Sequence, residues 1–250
     1  MYKRICIIGG AGFIGSNFIH YILRTYGSAI EILNLDKLTY AGNPENLMDV
    51  QSFPNYHFLQ ADICDGNYIR NALLEFSPDA VVNFAAESHV DRSILYPGIF
   101  IETNVKGTEQ LLSVCKELWM EKNGTWKQNV RFLQVSTDEV YGSLGKEGAF
   151  TETSPIRPRS PYSASKAGAD LFCMAYHITF GMPCVVTRCS NNYGPYQYPE
   201  KLIPLMLYNA FHGKKLPVYG DGLHIRDWLH VEDHCAAIDL VLQKGRIGEV

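Results

Sequence analysis

Two pairs of side chains in this sequence have the types and spacing to move protons. Tyr162 and Lys166 stand at the ends of Tyr162-Ser163-Ala164-Ser165-Lys166, which on a helix puts a phenol and an ammonium on one face. A phenol with an ordinary pKa of about 10 is a poor base at neutral pH, and moving it down by ~3 units takes ~4 kcal/mol of preferential stabilisation. A neighbouring ammonium acts in that direction. The second pair is Asp138 and Glu139, within Val135-Ser136-Thr137-Asp138-Glu139-Val140-Tyr141-Gly142. Adjacent carboxyls push each other's titrations apart. Taken singly, each pattern also has an ordinary explanation: a Tyr and a Lys at helical spacing by chance, and two acids in a solvated loop.

A glycine run raises both above that. Gly9-Gly10-Ala11-Gly12-Phe13-Ile14-Gly15 follows an apolar stretch of strand length and opens a helix-period segment, the context a dinucleotide fingerprint requires. Gly10, Gly12 and Gly15 satisfy G-x-G-x-x-G, and Gly9, Gly12 and Gly15 satisfy the wider G-x-x-G-x-x-G form. A Cβ would block the tight turn and hold a pyrophosphate away from the helix N-terminus, where free N–H groups and the helix dipole favour an anion. Asp36 ends the second expected strand, where its carboxylate can accept hydrogen bonds from ribose hydroxyls and repel a 2'-phosphate. NAD is therefore expected over NADP, although Lys37 could pair with a phosphate and works slightly against that preference. Asp62-Ile63, after the third strand, is placed to meet the adenine. In such a site Tyr162 would take the proton of a substrate hydroxyl while hydride leaves the same carbon for NAD, with Lys166 and the positive nicotinamide together lowering the phenol's pKa.

The elements that must position these groups follow from apolar periodicity. Strand-length runs at Arg4 to Ile8, Ile30 to Leu35, Tyr56 to Leu59, Ala80 to Asn83, Val130 to Val135 and Cys184 to Thr187 alternate with helix-period segments at Phe13 to Thr25, Asn67 to Phe76, Gly98 to Met120 and Tyr162 to Phe180. That alternation predicts βαβ units and an α/β fold with a doubly wound parallel, Rossmann-like sheet, whose ligands bind beyond the carboxyl ends of the strands. The division expected is a dinucleotide-binding unit over 1–190 and part of a smaller substrate lobe over 191–250. Within the second unit, Leu202 to His212 is amphipathic, and 230–244 reads as a helix packing back on the sheet. Gly248-Glu249-Val250 reads as the approach to a further strand, so the smaller lobe is expected to be truncated here.

On these motifs, with Asn83-Phe84-Ala85-Ala86-Glu87-Ser88-His89-Val90-Asp91-Arg92-Ser93 and Asn191-Asn192-Tyr193-Gly194-Pro195, the sequence resembles the dTDP-glucose 4,6-dehydratase family of extended short-chain dehydrogenases. The match runs through the whole chain. Its sharpest element is Thr137-Asp138-Glu139, because related epimerases usually lack the Asp-Glu pair. The resemblance implies conversion of dTDP-glucose to dTDP-4-keto-6-deoxyglucose with NAD as a recycled cofactor. It implies that Tyr162, with Lys166, takes the C4 hydroxyl proton, that Thr137 bonds the C4 oxygen, that Glu139 removes the C5 proton, and that Asp138 protonates the departing C6 hydroxyl. NAD would be met by the glycine-loop residues Gly9, Gly12, Phe13, Ile14 and Gly15, and by Asp36, Lys37, Leu38 and Thr39. Asp62, Ile63, Phe84, Ala85, Ala86, Ser88, Thr103 and Asn192 complete that set, beside Tyr162 and Lys166. Toward the sugar diphosphate the resemblance assigns Ser88, Asn191, Lys201, Leu202 and Arg226, with Pro217, Val218 and Tyr219 lining the base pocket. Arg suits phosphate because it binds bidentately. Thymine and uracil differ by one methyl, worth ~1 to 3 kcal/mol in an apolar pocket, so the dTDP preference rests on the resemblance alone.

Composition narrows the classes. With 250 residues, 46% hydrophobic and 19% charged, the chain can bury a full core. A net charge of -4 provides no field for collecting nucleic acid or anionic membrane. Seven cysteines lie singly and the eight histidines form no ligand-spaced cluster, so a reduced, cytoplasmic protein without a metal is expected. The apolar stretch before Gly9 is too short for a signal or a membrane span. The resemblance also implies a homodimer through the helices Gly98 to Met120 and Tyr162 to Phe180. Family members are usually longer, and a chain lacking their tail is expected to bind NAD yet turn over poorly. The competing readings are a UDP-glucose 4,6-dehydratase, a UDP-hexose 4-epimerase, a UDP-glucuronate decarboxylase, or a non-catalytic dinucleotide-binding protein. Asp138-Glu139 argues against the epimerase and the decarboxylase, and the intact Tyr162-Lys166 pair against the non-catalytic protein.

Overall fold

Six of the apolar runs form one parallel sheet in the computed structural model, which describes residues 1–145 and 147–250. The strands are β1 (Arg4–Ile8), β2 (Glu31–Asp36), β3 (Tyr56–Gln60), β4 (Ala80–Asn83), β5 (Arg131–Thr137) and β6 (Cys184–Cys189). Their order is β3-β2-β1-β4-β5-β6, so the chain reverses direction across the sheet between β1 and β4, the switch point of a Rossmann fold. The helices, in chain order, are α1 (Phe13–Tyr26), α2 (Gly66–Phe76), α3 (Val90–Leu95), α4 (Pro97–Phe100), α5 (Thr108–Trp119), α6 (Pro161–Phe180), α7 (Leu202–Phe211) and α8 (Val231–Lys244).

Both sheet faces are covered, which is why the strands read as continuous apolar runs. On one face, Cys6, Ile8, Leu33, Val81, Phe132 and Val186 pack under α2, α5 and α6, with Leu73, Leu111 and Trp119 from the helices. On the other, Ile5, Ile7, Ile32, Val82, Leu133 and Val185 meet Phe18, Ile19 and Ile22 of α1 and Cys235, Ile238 and Leu242 of α8. Each such aliphatic side chain contributes ~1.5–3 kcal/mol on burial, and the period of two along the strands splits them between the faces.

Two local departures from the expected elements bear on function. The single helix expected over Gly98 to Met120 is interrupted: between α4 and α5 the segment Ile101–Gly107 is a π-helix. Close packing accompanies it, since a Cβ on Gly107 would lie 2.5 Å from Ile63 Cδ1 and one on Gly168 of α6 would lie 3.1 Å from Val105. A single π turn within a helix is too short for residue spacing to reveal. The other departure is a separate pair of parallel strands, β7 (Asn191–Tyr193) and β8 (Trp228–His230), too short to register as a period. The last residues run beside β6, with Gly248 N–H donating to Cys184 O and Val186 N–H to Glu249 O.

Among the described residues no helix is long and apolar enough to cross a membrane.

Candidate active site

A cleft of about 330 Å³ opens at the carboxyl ends of β1, β2, β4, β5 and β6. Its floor is the glycine loop. Gly9 has φ +78°, and a Cβ there would sit 2.7 Å from the Ala85 backbone nitrogen, while a Cβ on Gly15 would collide with the Gly9 carbonyl oxygen. Only bare backbone lets the loop close against β4 and α1. α1 begins at Gly12 with no side-chain cap and no acidic residue in its first turn. The leading N–H groups are therefore left for an anion, and Gly12, Phe13, Ile14 and Gly15 all border the cleft.

Asp36, at the end of β2, is 8% exposed. Its Oδ2 accepts the Ala11 N–H at 2.9 Å and its Oδ1 the Leu38 N–H at 2.8 Å. Burial pushes its carboxyl up and these two N–H groups oppose that. The carboxylate is thus held rigidly with spare lone pairs toward the cleft, as a ribose diol requires. Lys37 turns across to Asp62, Nζ to Oδ2 2.6 Å, so an acid already pairs the ammonium that could have met a phosphate. Leu38 adopts φ +58° and contributes its backbone to Asp36 while standing off the cleft wall. Thr39, Asp62, Ile63, Phe84, Ala85, Ala86, Ser88 and Thr103 line the cleft, the last from the π-helical segment.

The chemical end is built from β5 and α6. β5 runs on through Thr137 into a single 3₁₀ turn, Asp138–Tyr141, closed by Gly142 at φ +90°. Thr137 caps the turn: its Oγ1 accepts the Glu139 N–H at 3.2 Å and donates to Asp138 Oδ1 at 3.3 Å. α6 starts at a reciprocal Ser160–Ser163 capping box with Pro161 in the first turn, which places Tyr162 at the helix mouth and Lys166 one turn deeper. Lys166 is 4% exposed and its Nζ donates to Val135 O at 2.7 Å.

The electrostatics of the polypeptide are governed by burial. Burial, then the Glu139 carboxylate, push the Tyr162 phenol well above its ordinary pKa, and the Thr137 hydroxyl offsets this only in part. Burial also pushes Lys166 down, against the pull of Asp170, and its ammonium is engaged by the Val135 carbonyl. Lys166 is not among the leading influences on the phenol, whose lowering is expected from Lys166 together with a positive nicotinamide. Burial raises Glu139, helped by Asp138 and opposed by Arg226 and Lys201. Burial likewise raises Asp138, with its bond to Thr137 opposing.

At the substrate end, Asn191 and Asn192 of β7 and Lys201 reach the cleft. Lys201 Nζ lies 3.4 Å from Ser88 O, and burial lowers its pKa against the carboxylates of Glu200 and Glu139. Asn192 is oriented by His234, Oδ1 to Nδ1 2.8 Å. Asp138, in the 3₁₀ turn, and Leu202, at the start of α7, are not among the residues that line the cleft. Pro217, Val218, Tyr219 and Arg226 belong to an irregular segment before β8, with Val218 73% and Tyr219 62% exposed. His89 caps α3, its Nδ1 accepting the Arg92 N–H at 3.4 Å.

One buried residue beside the cleft, Asn104, and several that line it escaped sequence reasoning. Asn104 grips the Glu87 backbone through two bonds, N–H to Oδ1 2.8 Å and Nδ2 to O 3.0 Å, and donates to Ser165 Oγ at 2.8 Å. It ties the loop after β4 to α6, and only the π turn aims it there. Glu87, Ser136, Cys189, Ser190, Gln197 and Tyr198 line the cleft. The neighbouring Asn191-Asn192-Tyr193 pattern was the signal that could have found the last three. Among the described residues, no group of three or more His, Cys, Asp or Glu side chains is placed to hold a metal.

The family model described as GDP-mannose 4,6 dehydratase matches residues 6–250. The chain is 55% identical over 243 residues to the dTDP-glucose 4,6-dehydratase of Xanthomonas campestris pv. campestris strain B100, covering 97% of this chain and 68% of that protein. It superposes on the dTDP-glucose 4,6-dehydratase of Bacillus anthracis str. Ames, solved in complex with NAD, with a TM-score of 0.89, 54% identity and coverage of 99% and 74% of the two chains. Against the Streptomyces venezuelae enzyme of the same name, also solved with NAD bound, the TM-score is 0.91 at 50% identity, with coverage of 99% and 74%.

Proposed function

The chain belongs to the dTDP-glucose 4,6-dehydratase family, and on that footing we propose that it converts dTDP-glucose to dTDP-4-keto-6-deoxyglucose with NAD. The observation that carries this reading is the meeting of Thr137, Glu139, Tyr162 and Lys166 in one cleft with an anion-ready glycine loop. An epimerase needs the phenol and the loop but has no use for the acid pair.

NAD, when bound, supplies reversible storage of a hydride and a positive ring beside the phenol. The chain's own residues do the rest. The first-turn N–H groups of α1 hold the pyrophosphate, and Asp36 holds the ribose hydroxyls while repelling a 2'-phosphate. Tyr162 takes the proton of the C4 hydroxyl, and Thr137 hydrogen-bonds the resulting ketone oxygen. That ketone acidifies C5–H, which Glu139 removes as carboxylate. Asp138, in its acid form, protonates the leaving C6 hydroxyl, so water departs across C5–C6. Glu139, having exchanged its proton with solvent, protonates C5 while the hydride taken from C4 returns to C6, so C6 ends as a methyl. Burial suits Asp138 to its role, because it keeps a carboxyl protonated to higher pH.

Ser88, Asn191, Lys201, Leu202 and Arg226 are assigned to the sugar diphosphate and Pro217, Val218 and Tyr219 to the base. Arg226 is close enough for its charge to act on Glu139, which supports its place at this end. Residues 1–190 are assigned to cofactor binding and 191–250 to part of the sugar-nucleotide lobe, with α8 packed on α1 supporting the return of 230–244. A homodimer through the helices over Gly98 to Met120 and Tyr162 to Phe180 is supported by exposed apolar side chains on both, among them Ile101 (60% exposed) and Leu171 (56% exposed). A cytoplasmic location fits the seven unpaired cysteines.

The test is incubation with NAD and dTDP-glucose in deuterated water. A 4-keto-6-deoxy product labelled at C5, without net reduced cofactor, is expected. Formation of dTDP-galactose, or no sugar product from a chain that binds NAD, would overturn the reading.

A further inference from the structure

The two halves of the chemistry sit on different elements, and a buried arginine outside the cleft joins them. Tyr162 and Lys166 belong to α6; Asp138 and Glu139 belong to the 3₁₀ turn that ends in Tyr141. Arg188, on β6, donates from Nε to Asp170 Oδ2 at 2.9 Å and from Nη1 to the Tyr141 hydroxyl at 2.9 Å. Asp170 lies one turn beyond Lys166 on α6. The side chains of Arg188 and Asp170 are 7% and 0% exposed, and Tyr141 is 7% exposed with its ring stacked on Phe150 at 5.1 Å. Neither Arg188 nor Tyr141 borders the cleft.

We propose that Arg188 is a positioning residue that locks the acid-pair turn to the Tyr162–Lys166 helix, so that a sugar oxidised at C4 already has its C5 proton in reach of Glu139. The reasoning is geometric. Val140 and Tyr141 pack on Ala167 of α6, but apolar contacts allow sliding, whereas a planar guanidinium with two directed bonds fixes both distance and orientation. A buried charge would be costly to keep for stability alone, and here it has one bond to each catalytic element. Oxidation depends on α6 and the glycine loop. Elimination depends on the turn, so loosening the turn should slow the second step more than the first. This role in the reaction rests on the proposed function, whereas the lock itself does not.

Tyr141→Phe removes one hydroxyl and leaves the ring stack and the Asp170–Arg188 pair in place. Amide hydrogen exchange of residues 139–142, measured without ligands, reads the lock directly and is expected to speed up in the variant by at least ~10-fold. Rapid mixing with NAD and dTDP-glucose reads the reaction. Transient reduced cofactor is expected to accumulate in the variant, with kcat down ~10- to 100-fold and KM little changed. Arg188→Lys, which keeps the charge but loses the fork, is expected to behave in the same way, guarding against an effect peculiar to residue 141. Unchanged exchange at 139–142 would overturn the lock whatever the activity. Faster exchange with wild-type partitioning between oxidation and elimination would overturn its role in the reaction. An unsubstituted chain that makes no product would sink the proposed function, and the exchange measurement would still decide the lock.

Discussion

The Lys166 ammonium donates a 2.7 Å hydrogen bond to the carbonyl of Val135, two residues before Thr137 on β5. One buried side chain thus anchors the helix that carries the phenol onto the strand that carries the acid pair. Lys166→Met should therefore lower kcat by ~100-fold or more, through lost charge beside Tyr162 and lost register between α6 and β5. Lys166→Arg should not restore it, because a site 4% exposed has no room for a larger planar group. Steady-state assays of both variants, with thermal melts to show folding, check this.

Two glycines of the loop make contrasting predictions. A Cβ on Gly12 would meet nothing closer than the Gly9 carbonyl oxygen at 3.4 Å, whereas one on Gly15 would collide with that same oxygen. Gly12→Ala should melt within a few degrees of wild type yet bind NAD at least ~10-fold more weakly, since its methyl projects where the pyrophosphate must approach. Gly15→Ala should lose both binding and stability. Calorimetric titration and melting temperatures separate the two, and equal destabilisation would show that Gly12 is there for the turn.

The pH dependence of turnover should report the acid pair. As the proposed base Glu139 must be ionised, and burial together with Asp138 pushes its carboxyl up, opposed by Arg226 and Lys201, so the acidic limb of kcat should lie above a normal glutamate titration. Asp138→Asn removes a negative neighbour, so that limb should move to lower pH while kcat falls ~100-fold for want of the acid. A limb that stays in place would mean that Asp138 does not tune Glu139.

Stability should carry the signature of a buried histidine. Burial lowers His234 to about 4 from 6.5, so between those values the unfolded chain holds a proton that the native state does not. Stability therefore falls as pH drops through that window, by about 2 kcal/mol from this group at about pH 5. In urea unfolding at about pH 7.5 and 5, wild type should lose ~2 kcal/mol more than His234→Gln between the two conditions. Equal losses would show that His234 is protonated in the folded protein.

Much of the fold was legible in the residues. Arg4–Ile8 and Ala80–Asn83 appear as strands with the bounds their apolar runs suggest, because a strand covered on both faces is apolar at nearly every position between its ends. The same logic fails at Ile101–Gly107, where a π turn hides inside an uninterrupted helical pattern, and at β7 and β8, whose three-residue lengths leave no period to read. Asn104 was invisible for the first reason: nothing in a run of Thr, Asn and Val announces that an amide will grip the Glu87 backbone.

The sequence by itself determined the chemistry that could be attempted, since residue type and spacing define a glycine loop, a carboxylate for a ribose, a phenol with an ammonium, and two adjacent acids. It also determined the sheet, because burial on two faces leaves a period-independent apolar signature. Only the tertiary structure decided which of these groups share a cleft and in which direction burial and neighbours shift their titrations. Tyr162 illustrates the reason. Its spacing to Lys166 is read from the sequence, but desolvation and the approach of Glu139 from another element, which both raise its pKa, depend on distances through space that local pattern does not encode.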